Sequence, residues 1–202
     1  MTAAWSAYDD GYLLGYQWAT SLAAGAALPQ VAPPVALGPG EVAHLTLAGT
    51  GLSGFFGEDT GYRPSVFLFG GPVGLAVTGA ASWAHNSAKK AEARRAAIPS
   101  WHPMGRADVT MTSQRLVATA GGRAESLWYA ECGPLQWGSG PGGAPAVLVQ
   151  PRSQPLLRIE SPYAAVLYVL VHHLLDGRPP APPLPDGLLE RAQAAGRMPS
   201  AV

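Results

Sequence analysis

Residues Gly105 to Thr119 read GRADVTMTSQRLVAT. Val109 and Met111 alternate with Asp108, Thr110 and Thr112, the period-two pattern of a strand with one buried face. Ser113-Gln114 supplies a turn, and Arg115 to Thr119 returns. Gly121-Gly122 is a two-residue turn signal, because both positions of a tight hairpin turn demand positive φ. Ser126 to Tyr129 gives the next strand. The spacing predicts three antiparallel strands in a meander.

Toward the C-terminus, Leu135 to Trp137 reads as a short strand before the glycine-rich loop GSGPGGAP. Val147 to Val149 and Leu156 to Ile159 form a further hairpin across Pro151 to Pro155. A helix then follows with marked ends: Ser161 as N-cap, Pro162 in the first turn and Gly177 after the last. Between them YAAVLYVLVHHLLD is apolar on nearly every side. Pro162 to Asp176 would span about 22 Å at 1.5 Å per residue, too short for a bilayer. It is a core helix laid on a sheet. From Arg178 the chain is proline-rich and is expected to be a flexible tail, with a short helix after Asp186.

Toward the N-terminus, Glu41 to Leu52 reads as a strand whose buried face carries Val42, Leu45 and Leu47. Gly49, Gly51, Gly54 and Gly57 then predict a turn-rich loop with at most a bulge. Pro29 to Pro39 is an extended linker. Ala3 to Ala27 is a helix on which Trp5, Tyr8, Tyr12 and Tyr16 recur at spacings of three and four and so share a stripe. That stripe either packs on the chain's own sheet or is a docking or dimer surface. Gly11 and Gly15 permit close approach of another backbone.

The segment from Ser65 to Ala84 contains no charge, and Lys89, Lys90, Arg94 and Arg95 follow it. Glycines dilute its hydrophobicity, which favours a soluble helix from Pro72 through Trp83 to about Ala97. A single membrane span near 66–84 is the alternative. Lys90 and Arg94 share a helix face. They read as a solvated helix end, or as a contact for an acidic partner or a lipid phosphate.

Composition narrows the function. Charged residues are 13% of the 202, with 13 basic and 13 acidic, so no basic face is available for nucleic acid. A lone Cys132 forms no internal disulfide, and the N-terminus lacks the basic region of a secretory signal, so the compartment expected is the cytoplasm, with membrane association as the variant reading. Ser139 lies in a flexible loop without the strand-to-helix elbow of a serine hydrolase. His172 and Asp176 are four apart at a helix end, which suits a dipole-capping pair. His44, His85 and His102 have no ligand spacing, and no phosphate-binding loop is present. No cofactor, metal or small-molecule substrate is expected.

The run GRADVTMTSQRLVATAGG, then ESLWY, a hairpin and a capped helix, resembles bacterial (actinobacterial-type) PH-like and GRAM-like domains. The carrying residues are Thr112-Ser113-Gln114-Arg115-Leu116, where a strand ends and turns back, and Gly40-Glu41-Val42 at the opening of the first strand. The resemblance covers about 38–177 and implies an α+β fold: an antiparallel, PH-like sheet or partly open barrel closed by the helix at Pro162–Asp176. It divides the chain into an N-terminal helix and linker (1–37), a PH-like domain with a helical insertion at about 57–104, and a tail (178–202). It implies binding of proteins or lipids without catalysis. The function expected is a scaffold making protein contacts, including with itself, through Trp5, Tyr8, Tyr12, Tyr16 and the basic cluster. A membrane-tethered protein is the alternative, and a serine hydrolase using Ser139 the second.

Overall fold

The computed structural model describes residues 5–57 and 98–198. The expected insertion helix, the candidate span at 66–84 and the cluster Lys89, Lys90, Arg94 and Arg95 lie outside the described residues.

The meander forms as its alternation dictates. Strand β1 (Ala43–Phe56) pairs antiparallel with β2 (Ser100–Thr112), which pairs with β3 (Arg115–Ala120), which pairs with β4 (Arg123–Trp128). Gly121 and Gly122 make the last turn with φ of 56° and 76°, values that disfavour any side chain. After β5 (Gln136–Ser139), β6 (Pro145–Val149) and β7 (Leu156–Glu160) complete one sheet, in the order β4-β3-β2-β1-β7-β6-β5. Alternating side chains turn Val109, Met111, Leu116, Leu127, Val147, Val149, Leu157 and Ile159 into a common interior.

β1 differs from expectation. Its glycine-rich half was expected to be a loop, yet Gly51 to Phe55 pairs with β2 on one side and with β7 on the other. Register shifts between Leu47 and Thr50 and between Leu52 and Ser53 absorb the irregularity, so the glycines bend a central strand. At Gly54 an added Cβ would stand 3.0 Å from the Phe56 ring and 3.2 Å from Met104 Sδ, which explains the missing side chain. β2 likewise begins at Ser100, so Ser100 to Met104 belong to the sheet and not to an insertion.

Helix α1 (Ala7–Ala23) is shorter than expected because Ser6 starts it: Ser6 and Asp9 form a reciprocal capping box. Helix α2 (Ala164–Asp176) closes the sheet, with Ala164 to Leu167 and Val169 to Val171 all buried. Its start is also displaced. Tyr163 occupies the N-cap, while Ser161 Oγ accepts from Tyr163 N at 3.2 Å in the turn before it. Gly177 ends it in the left-handed conformation, φ 67°, as expected.

α2 lies between the sheet and α1. The face of α1 turned to it is Gly11, Gly15, Ala19 and Leu22, a stripe of mostly small residues. An added Cβ would sit 1.8 Å from Pro162 O at Gly11 and 2.8 Å from Ala165 Cβ at Gly15. The two helices therefore approach backbone to backbone, which only glycine allows at these positions.

The C-terminal stretch expected as a flexible tail is docked. Helix α3 (Leu188–Ala194) lies on α1 with Leu188 and Ala192 buried. Arg191 pairs with Asp9 at 2.8 Å and Arg197 with Asp10 at 2.9 Å. The fold is α+β, a PH-like antiparallel sheet closed by a C-terminal helix, with N-terminal α1 outside that helix. Among the described residues, no helix is long and apolar enough to cross a membrane.

Candidate interaction surface

The aromatic stripe of α1 falls on the shoulder between the face covered by α2 and the face covered by α3. Tyr12 and Tyr16 are half-buried, and Tyr8 is 44% exposed. Tyr12 meets Trp137 of β5 with ring centroids 5.8 Å apart, and burial pushes its hydroxyl pKa up. Trp137 meets Tyr168 edge-on at 5.6 Å, and Tyr168 meets His172 at 4.6 Å. These contacts build an aromatic ladder joining α1, α2 and β5. The ladder rigidifies the join between the helices and one edge of the sheet.

Among the described residues β5 is an edge strand, with β6 as its neighbour in the sheet. Tyr163, 38% exposed, sits at the start of α2, where its Cα would lie 3.2 Å from a Cβ at Gly11. Tyr8 is one turn before Gly11. Two exposed tyrosines thus flank the close approach of α1 and α2. Trp5 differs from the other members of the stripe. Its indole N–H donates to Asp10 at 2.7 Å, and the Arg197 guanidinium lies 4.7 Å from its ring centroid. Trp5 is engaged by the C-terminal segment.

A second constellation assembles from the motif residues themselves. Glu41, with no exposed side-chain surface, accepts from Arg115 Nε and Nη2 at 2.9 and 3.0 Å, from Thr112 Oγ1 at 2.6 Å and from Gly38 N at 2.7 Å. Arg115 also donates to Ser126 Oγ at 2.7 Å and lies over the Trp128 ring at 4.7 Å. Thr112 Oγ1 accepts from Arg115 N at 3.0 Å, locking the β2–β3 turn. The Arg115 hydrogen bonds, with those of Thr112 and Gly38, hold the Glu41 carboxyl down to about 2 despite burial. With every partner internal and saturated, the group is a brace between the proline-rich linker and the sheet.

A third cluster lies at the far end of β1. Arg158, 7% exposed, donates Nε to Glu160 at 2.6 Å and stacks 4.3 Å from the Trp101 centroid. Beside it, Leu52, Met104, Val109, Leu116 and Leu127 line an interior cavity of about 30 Å³. That is room for one or two waters, not for an organic ligand.

The residues weighed for chemistry do not meet. Ser139 ends β5 opposite Pro145, and no histidine hydrogen-bonds it among the described residues. His172 instead contacts Asp176 Oδ2 at 2.9 Å and Leu135 O at 3.0 Å, tying the end of α2 to the start of β5. Burial and then the nearby Glu131 charge push the Cys132 thiol pKa up, away from a reactive thiolate. No group of three or more His, Cys, Asp or Glu suited to a metal occurs among the described residues.

No protein-family model matches the chain, and no curated protein matches it. Among solved structures, the Vps36 N-terminal PH domain is similar over 67% of this chain and 86% of that chain, with 11% identity and a TM-score of 0.35. So distant a likeness says nothing about a ligand. The PH-like architecture rests on the strand order and on the helix that closes the sheet.

Sequence reasoning missed Tyr163, Trp137 and Tyr168. Local spacing places Trp137 in a short strand and Tyr163 within a helix, and connects neither to α1. The signal available was aromatic content beside a glycine stripe: Gly11 and Gly15 on α1 required a partner backbone, and the small pair Ala164-Ala165 on α2 offered one.

Proposed function

We propose that this chain is a non-catalytic PH-like module that makes protein–protein contacts, using the corner where α1, the start of α2 and the β5 edge come together. The observation that carries this reading is the exposure of Tyr8 and Tyr163 on the close α1–α2 contact. Tyrosine exposed on a rigid framework is suited to recognition, because it buries a large area at low entropic cost. The aromatic ladder from Tyr12 to His172 holds that framework fixed, and β5, an edge strand among the described residues, lies beside it. Tyr12 supports the corner through Trp137, and Trp5, Tyr16, Lys89, Lys90, Arg94 and Arg95 are kept as further candidate contacts.

The test uses the full chain with Tyr8→Ser and Tyr163→Ser combined. Recovery of bound protein partner should fall at least tenfold while the melting temperature stays within about 2 °C, because both side chains are largely outside the core. Unchanged recovery would remove the corner from the account. Sedimentation of the wild type with anionic vesicles, or retention in a carbonate-washed membrane pellet, would instead favour the membrane-tethered reading.

A further inference from the structure

The two edge strands of the described sheet are built differently. β4 carries the exposed Arg123, and its Glu125 points to the inner side, where it lines the cavity with Leu116 and Leu127. An exposed charge and an inward-pointing charge both blunt a strand edge against pairing with another chain. β5, Gln136–Ser139, has neither a charge nor a proline. Its Gln136 and Ser139 are exposed, and Trp137 and Gly138 are half-buried.

The turn after β5 sets which of its backbone groups face outward. Gly140 N donates to Ala144 O at 2.7 Å, and the register with β6 then runs without a shift from Ser139–Pro145 to Gln136–Leu148. Alternate residues of an antiparallel pair face the partner strand. Gly138 and Gln136 therefore bond to β6, while Trp137 and Ser139 turn their N–H and C=O groups away from it. Pro145, opposite Ser139, has no N–H to give, in keeping with that phase. Leu135 shares the outward phase, and its carbonyl is met by His172 Nε2 at 3.0 Å. The free length of edge thus runs from Trp137 to Ser139. Among the described residues, nothing hydrogen-bonds the outward groups of these two.

We propose that the β5 edge takes an extended peptide segment of the protein partner as an added strand, paired through the outward groups of Trp137 and Ser139. This names how the partner of the proposed function is held, and it rests on that reading. Two alternate residues of an incoming strand would exchange N–H and C=O with Trp137 and Ser139, which gives affinity independent of sequence. Side chains select the sequence. Leu148 leans over Gly138, where a Cβ would sit 2.7 Å from its Cγ, so on one face the added strand meets Leu148. On the other it meets Trp137, held by Tyr12 and Tyr168. Both faces suit β-branched residues. A carboxylate stands at each end of the edge. Asp176, 61% exposed, lies beyond Leu135 through His172, and Glu160 gives Oε1 to Arg158 while its Oε2 lies against Gly140. The occupant is therefore a β-branched segment with basic flanks, and acidic flanks are disfavoured.

The experiment titrates the full chain with the synthetic peptide Arg-Val-Thr-Val-Thr-Val-Arg up to millimolar concentration and follows amide hydrogen exchange by NMR. At saturation the amides of Trp137 and Ser139 should exchange about tenfold more slowly, with those of Arg123 to Trp128 unchanged. The same peptide with Glu at both ends should bind about fivefold more weakly. No protection at Trp137 and Ser139, or equal protection along β4, overturns the added strand, and equal binding of the two peptides overturns the basic flanks. Ser139→Pro removes an outward N–H without taking a bond from β6, and should abolish the protection at Trp137, whereas Ser139→Ala should keep it. Protection that survives Ser139→Pro contradicts the pairing. Should Ser139→Pro fail to fold, the two peptides on the wild-type chain decide. A negative result here, with partner recovery still lost on combining Tyr8→Ser and Tyr163→Ser, removes the added strand and leaves the proposed function intact.

Discussion

Glu41 and Arg115 are separated by 74 positions, and each satisfies the other with two hydrogen bonds, the carboxylate having no exposed surface and the arginine side chain 16%. Removing the arginine leaves a carboxylate buried among groups that no longer compensate it. Arg115→Ala should therefore cost about 3 kcal/mol in denaturant unfolding. The same pair sets an acid limit. The carboxyl is held down in the folded chain and not in the unfolded one, so its contribution is complete above the ordinary value near 4.5 and is lost as pH falls towards about 2. The loss across that window should approach about 3 kcal/mol, and Glu41→Gln should flatten the pH dependence between pH 5 and pH 2 by about that amount. Cys132 offers a simpler check. With its thiol pKa raised by burial and its Sγ–H donated to Trp128 O at 3.2 Å, native alkylation at pH 7 should be well slower than that of an unfolded control.

At the scale of elements, glycine decides where the chain can be close to itself. In an exposed helix, glycine to alanine stabilises by up to about 1 kcal/mol. At Gly11 the sign reverses, because the new Cβ would overlap Pro162 O. Gly11→Ala should destabilise by about 1–3 kcal/mol by thermal or denaturant unfolding, and a stabilised variant would refute the close α1–α2 contact. The same residue type marks where sequence reading succeeded and where it stopped. Gly121-Gly122 was legible as a turn because a hairpin pattern flanked it, and Gly177 as a cap because an apolar helix preceded it. Gly51 and Gly54 were not legible as strand. Their pairing with β7 comes from more than a hundred residues away, and local composition favours a loop. Likewise α3 offers only Leu188 and Ala192 as a buried apolar pair, too short a pattern to mark a docked helix, and its ion pairs to α1, from Arg191 and from Arg197 beyond its end, lie outside any local window. Of the candidate surface, the α1 stripe could be read from spacing alone. Tyr163 and Trp137 could not, since their place depends on how α2 and β5 meet α1.

At the scale of the whole molecule, the sheet and α2 form the constant framework, braced by Glu41, Thr112 and Arg115. The distinctive parts are what lies on it: α1 with its exposed tyrosine corner, and the C-terminal arm. Among the described residues, the brace is saturated by internal partners and the cavity beside Arg158 is about 30 Å³. The most direct measurement places a photo-crosslinking amino acid at Tyr8, at Tyr163 and, as control, at the exposed Arg123 of the opposite sheet edge, and irradiates each full-length chain in its native cells. The account predicts a discrete protein adduct of the same mass from Tyr8 and Tyr163, and none from Arg123. Adducts of equal yield at all three positions, or none at Tyr8 and Tyr163, would contradict it.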